Sequence, residues 1–178
     1  MNREDAFYYK NLLMLGFSDG YDEWLNGYLE AENPLSNIVL ELSCCGSDVE
    51  KSISILHSYC AEQPFDKSVS CDRLRRFFKD AYYASKMSKE EISSAFYTLS
   101  IHLGAPDGAD ADLWEGMYIL DDYYALAKEG ILSWEKFDLA FFSYLDNGIH
   151  MNPDQIWSEY TEARPSLWER IRTVFKRK

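Results

Sequence analysis

The stretch ELSCCGSDVEKSISILHSYC, Glu41 to Cys60, decides how the rest of the chain is read. It is either a knot of sulfur and imidazole or the joint between two helices. The spacing favours the joint. Val49, Ile53, Leu56 and Cys60 recur at four, three and four residues, one apolar stripe of an amphipathic helix. Gly46 follows an earlier apolar run and suits the left-handed conformation that closes a helix. Ser47 and Glu50 then carry the S-x-x-E spacing of a capping box. Read this way, the cysteines lie at a helix end and on a helix stripe, where a free thiol packs as a small hydrophobe.

The same residues make a poor chemical site. His57 and Cys60 could share one ion, but structural zinc needs a second ligand pair, and Cys44-Cys45 is adjacent rather than C-x-x-C. A nucleophilic Cys60 would sit near a helix C-terminus, where the dipole opposes a thiolate. Cys71, near Arg73, Arg75 and Arg76, is the better nucleophile candidate, but no histidine is placed locally to serve it. In GAPDGADADLWEG, an EF-hand counted from Asp110 finds Asp112 at its third position but Trp114 and Glu115 at its fifth and sixth. No P-loop, G-x-G-x-x-G, H-E-x-x-H, G-x-S-x-G or paired E-x-x-H occurs. The expectation is a protein without catalysis, cofactor or metal. An enzyme whose site assembles from distant residues is the third-ranked reading.

Outward from this joint the chain repeats the same grammar. Ser88-x-x-Glu91 and Ser166-x-x-Glu169 match the capping box, and Asn33-Pro34 and Asn152-Pro153 match an N-cap followed by proline in the first turn. Gly46, Gly104, Gly130 and Gly148 mark stops. Helical stripes also run through Ile92, Phe96, Leu99 and Leu103, and through Leu113, Met117, Leu120, Tyr124 and Ala127. The pattern predicts eight or nine helices near 4–15, 19–31, 34–44, 48–62, 69–86, 89–103, 112–128, 134–146 and 153–177, the last broken at Pro165. No alternating strand is found. The expected fold class is all-α, a compact bundle of mostly antiparallel helices forming a single domain over 1–178. The N-terminal apolar run is too short for a signal segment or a membrane span, which reads as a cytoplasmic protein with no membrane role.

Charge is distributed in blocks. The net charge is −12, yet the residues between Lys10 and Lys51 hold eight acids and no base, and those between Lys89 and Lys128 hold another eight and no base. From Lys67 to Lys89 there are seven bases against Asp72 and Asp80. Acidic blocks repel nucleic acid and attract a basic protein, raising its on-rate. Two acidic segments carry aromatics suited to an interface. One holds Asp19, Tyr21, Asp22 and Glu23, with Trp24, Tyr28, Glu30 and Glu32 beyond; Trp24 and Tyr28 read equally well as core. The other is the loop acids Asp107, Asp110 and Asp112 leading to the helical stripe Glu115, Tyr118, Asp122 and Glu129. The candidate partner-binding residues are Asp19, Tyr21, Asp22, Glu23, Asp107, Asp110, Asp112, Glu115, Tyr118 and Asp122. The basic helix is expected to pair within the molecule, with the acidic blocks, rather than bind phosphate.

Trp24 to Leu56, WLNGYLEAENPLSNIVLELSCCGSDVEKSISIL, resembles a small all-helical family of bacterial proteins. Members are encountered as immunity proteins of polymorphic toxins, including contact-dependent growth inhibition systems. The cues are W-L-x-x-Y-L from Trp24, the Asn33-Pro34 helix start, I-x-L-x-L-S from Ile38 and S-D-V-E-K from Ser47. They cover about a fifth of the chain. The Cys44-Cys45 doublet departs from the expected pattern, and no active site is carried over. The resemblance implies an immunity protein that binds a cognate, basic, nuclease-type toxin C-terminal domain and covers its active site. A helical adaptor binding another bacterial protein is the alternative. Oligomeric state is left open.

Overall fold

The computed structural model describes residues 1–103 and 111–162, with side chains described outside 103, 111–115 and 158–162. Among the described residues there are nine helices and no strand: α1 (Arg3–Met14), α2 (Tyr21–Ala31), α3 (Asn37–Ser43), α4 (Val49–Ala61), α5 (Ser68–Tyr83), α6 (Lys89–Leu103), α7 (Ala111–Lys128), α8 (Trp134–Asn147) and α9 (Pro153–Glu162). The all-α reading is therefore correct. Of the final predicted helix, residues 163–177 lie outside the described part.

Capping decides where the helices start, and here sequence and structure differ in detail. Ser88 and Glu91 form the reciprocal box, each side chain reaching the other's backbone N–H. Asn152 and Gln155 do the same ahead of Pro153. At α4 the cap is Asp48, one residue later than expected, whose carboxylate accepts from the Lys51 N–H at 3.0 Å. Val49 is thereby placed at the first helical position and is 45% exposed, so the buried side of α4 runs through Ser52 and Leu56 instead. The Asn33-Pro34 start is also displaced. That peptide is cis, and α3 begins at Asn37 after the cap residue Ser36. Both the backbone N–H and the hydroxyl of Ser36 are held by Glu32, at 3.0 and 2.7 Å, which anchors the turn between α2 and α3.

Helix α1 is covered on nearly every side: Ala6 to Leu13 are all buried, Lys10 and Asn11 among them. A helix of that kind belongs at the centre of its layer. It packs on α4 and α5. Helix α5 carries the connection onward to α6 and α8, while α2 packs on α3 and α3 on α4. The most extensive contact is α6 with α7. Glu90 meets Lys128, Ser94 meets Asp121 and Tyr97 meets Tyr118, so these two helices run antiparallel. The pair α1 and α5 runs the other way: Glu4 meets Ser70, Asp5 meets Arg73 and Phe17 meets Phe77, a parallel register. Consecutive helices can turn back on short loops, but α1 and α5 are separated by three helices and face no such rule.

The core is largely aromatic. Phe78, Phe96 and Tyr144 are fully buried and stack edge to face at 5.0 and 5.3 Å. Each such side chain stabilises by roughly 2–3 kcal/mol through removal of apolar surface from water. Gly116 on α7 admits the Tyr144 ring. A Cβ there would lie 2.5 Å from a ring carbon, closer than van der Waals contact permits.

Candidate partner-binding surface

The cysteine–histidine stretch resolves into scaffold. Cys45 is buried and its Sγ points at the Glu41 carbonyl at 3.3 Å. His57 is exposed, while Cys60 turns inward toward the Arg3 carbonyl, 3.9 Å away. Although three residues apart, the two side chains face differently. Burial pushes the Cys60 thiol up, away from the thiolate a ligand or nucleophile requires. Cys71 is fully buried and closed to any substrate. Among the described residues, no group of three His, Cys, Asp or Glu side chains is placed to hold a metal ion.

The bases of α5 are consumed inside the molecule. Arg73 pairs with Asp5 at 2.6 Å and lies 3.9 Å above the Tyr8 ring. Arg76 pairs with Asp72 and Lys79 with Asp146. Arg75 is buried. Its Nε and Nη2 donate to Asp72, and its Nη1 donates to the Leu145 carbonyl in the last turn of α8. A cation there also complements the negative end of the α8 dipole. Internal pairing is thus correct, but its partners are not the acidic blocks. They are single carboxylates on α1, α5 and α8.

That leaves most of the N-terminal acidic block without neutralising charge. Glu32 binds the Met1 ammonium at 3.1 Å, and Asp48 caps α4. Asp19, Asp22, Glu23, Glu30, Glu41 and Glu50 are exposed, and none forms an ion pair or side-chain hydrogen bond among the described residues. Tyr21, expected beside them at an interface, is 7% exposed and packs against Tyr9 and Trp24. Trp24 in turn stacks on Tyr9 at 4.6 Å, so the aromatics of α2 serve the core and its carboxylates face water. The period explains it: Tyr21, Trp24, Leu25 and Tyr28 share one stripe.

The α7 region is more self-contained. Glu90 pairs with Lys128 and accepts from the Tyr124 hydroxyl, and Asp121 accepts from Ser94. Tyr118 is 49% exposed with its ring tilted against Tyr97, and Asp122 is exposed and unpaired. Asp112 and Glu115 lie in α7 with side chains outside the described residues; Asp107 and Asp110 lie outside them altogether. The two candidate faces are not brought together. Among the described residues the extensive contacts of α2 and α3 are with each other and with α4, and those of α7 are with α6 and α8.

One feature has no counterpart in the sequence reading. A groove of about 460 Å³ runs between α3 and α4, with Ile38 and Glu41 on one wall and Ile55, Ser58, Tyr59 and Glu62 on the other. Gly46, at φ +56°, makes the tight turn that folds α4 back beside α3. Helical spacing puts 38 and 41 on one side of α3, and 55, 58, 59 and 62 on one side of α4. At one end Arg3 reaches across from α1. Its guanidinium lies 4.5 Å over the Tyr59 ring, Nη2 meets Glu62 at 3.2 Å and Nε donates to the Tyr59 carbonyl. The Tyr59 hydroxyl donates to the Met1 carbonyl at 2.6 Å, which fixes the ring. Glu41 was visible only as one acid in a block. Its position opposite Ile55 and Tyr59 depends on how α3 docks on α4, which one-dimensional spacing does not encode.

Among the described residues, no helix is long and apolar enough to cross a membrane. Comparison with protein-family models, with curated proteins and with solved structures returns no match.

Proposed function

We propose that the protein is a cytoplasmic immunity protein that binds a basic, nuclease-type toxin domain and blocks it by covering its active site. One observation carries this reading. The α2–α4 layer presents six exposed carboxylates with no internal counter-charge, while the bases of α5 are spent on other acids. Leaving like charges unpaired on one layer costs stability and returns long-range attraction for a cation-rich surface. Inhibition by coverage needs affinity and fast association, and it needs no catalytic group. The resemblance of Trp24–Leu56 to immunity proteins points the same way.

The test is a calorimetric titration of the purified protein with the toxin C-terminal domain encoded beside it, at low and moderate salt. A tight 1:1 complex that weakens as salt rises is the expected result. Asp22→Lys with Glu23→Lys slows association at least tenfold, whereas Asp122→Lys on α7 changes it less than threefold. A folded toxin domain that does not bind overturns the immunity reading in favour of an adaptor with a partner encoded elsewhere. Equal effects of the two charge reversals move the binding face away from α2.

A further inference from the structure

We infer that the α3–α4 groove is a receptor for one arginine side chain of the partner, a conclusion that rests on the partner being the basic protein proposed above. The molecule already displays the contact in miniature. Arg3 lays its guanidinium over Tyr59 and pairs with Glu62, so one end of the groove binds this group in the free protein. The rest of the groove has aliphatic rather than aromatic walls and a second carboxylate, and no described residue fills it. Ile38 and Ile55 line it with apolar surface, and Glu41 offers a carboxylate that no described residue engages. The Ser58 hydroxyl donates to the Ser54 carbonyl, which leaves its oxygen free to accept.

These elements select arginine over lysine. Guanidinium is planar and weakly hydrated, presents paired N–H donors to a carboxylate and lies flat on aromatic and aliphatic walls. Its three-carbon stem is covered by apolar side chains while its head stays at the rim, which is where Glu41 sits. An ammonium at the same rim would meet the carboxylate as a hydrated point charge and gain little from the apolar walls. At about 460 Å³ the groove falls in the roughly 300–1,000 Å³ range of ligand pockets, which is room enough for an arginine side chain. An anionic or nucleic-acid occupant is disfavoured by Glu41 and Glu62.

The experiment is a two-dimensional NMR titration of the isotopically labelled full chain with N-acetyl-arginine amide and, separately, N-acetyl-lysine amide. Arginine is expected to shift the amides of Ile38, Glu41, Ile55 and Ser58 in a saturable way and at least threefold more tightly than lysine. Glu41→Gln is expected to weaken arginine about tenfold. Because Glu41 is exposed and unpaired, this variant keeps the dispersed spectrum of the parent. Equal affinity for the two amides, shifts centred on the α2 carboxylates, or an unchanged Glu41→Gln titration overturns the groove assignment. The same variant is then titrated with the basic toxin domain. A toxin complex indifferent to Glu41→Gln removes the groove and keeps the immunity reading. Arginine binding in the groove with no toxin complex removes the immunity reading and keeps the groove.

Discussion

Helices α2 to α4 and helices α5 to α8 handle charge and space in opposite ways. In the first group carboxylates face water unpaired, the α3–α4 contact leaves a groove, and the helical Gly27 has nothing within 4 Å of the place a Cβ would occupy. In the second, arginines and lysines are pinned to single acids, aromatic rings interlock, and the helical Gly116 is pressed against Tyr144. Net charge treats both groups as acidic protein surface. Pairing separates them: most exposed carboxylates of the first group lack an internal partner among the described residues, and the bases of the second have one.

The largest expected effect contrasts the two glycines. Gly116→Ala drives a methyl into a ring that is fully buried and has no room to yield. It costs about 3 kcal/mol, the upper end of overpacking penalties. Gly27→Ala removes backbone freedom from the unfolded chain at an open helical site and stabilises by about 0.5–1 kcal/mol. Urea unfolding of both variants should therefore show shifts of opposite sign. Similar shifts would erase the packing half of the contrast.

Next come the arginines of α5. Arg75→Met strands the Leu145 carbonyl at the end of α8 and is expected to cost about 2 kcal/mol. Arg76→Met gives up an ion pair whose arginine is 70% exposed, worth less than about 1 kcal/mol. Urea midpoints read both, and an Arg76 effect as large as that of Arg75 would mean that the surface charges also hold this half together. Smaller still is a backbone comparison. Gly46 closes the α3–α4 turn at φ +56°, and Ser85 after α5 adopts the same φ without being glycine. Ser85→Gly should gain about 1 kcal/mol and Gly46→Ala should lose about that much, because a Cβ crowds the carbonyl in left-handed backbone.

What was legible in the sequence follows from range. Helix existence is a local property, and periodicity with caps at Ser88 and Asn152 carried it. The correct cap at α4 was hidden because Ser47 and Asp48 are both good N-caps and only the chain's path chooses between them. The α2 carboxylates were recognisable as exposed. Tyr21 was mistaken for surface because its neighbours are acids, although its stripe with Trp24, Leu25 and Tyr28 marks it as core. The groove depends on how α3 docks on α4 across the Gly46 turn and on Arg3 arriving from α1, a contact that spans 56 residues. No short-range signal encodes those.

Glu32 gives the smallest effect and the sharpest view of how an acid in the exposed block can be put to internal use. It differs from its neighbours by having partners. The Ser36 hydroxyl, the Ser36 backbone N–H and the Met1 ammonium together hold its carboxyl at about 2, below the 4.5 of an ordinary glutamate. The folded value is depressed, so the unfolded chain binds the proton first as pH falls. The stabilisation is therefore complete above about 4.5 and is lost as pH falls through the window toward about 2. Carboxyl-detected NMR should place the Glu32 midpoint at the bottom of that window, and Ser36→Ala should raise it. In Glu32→Gln the acid-side decline of stability over the same window should be shallower than in the parent. A Glu32 that titrates as an ordinary glutamate would return it to the unpaired block, and the α2–α3 turn would then need another anchor.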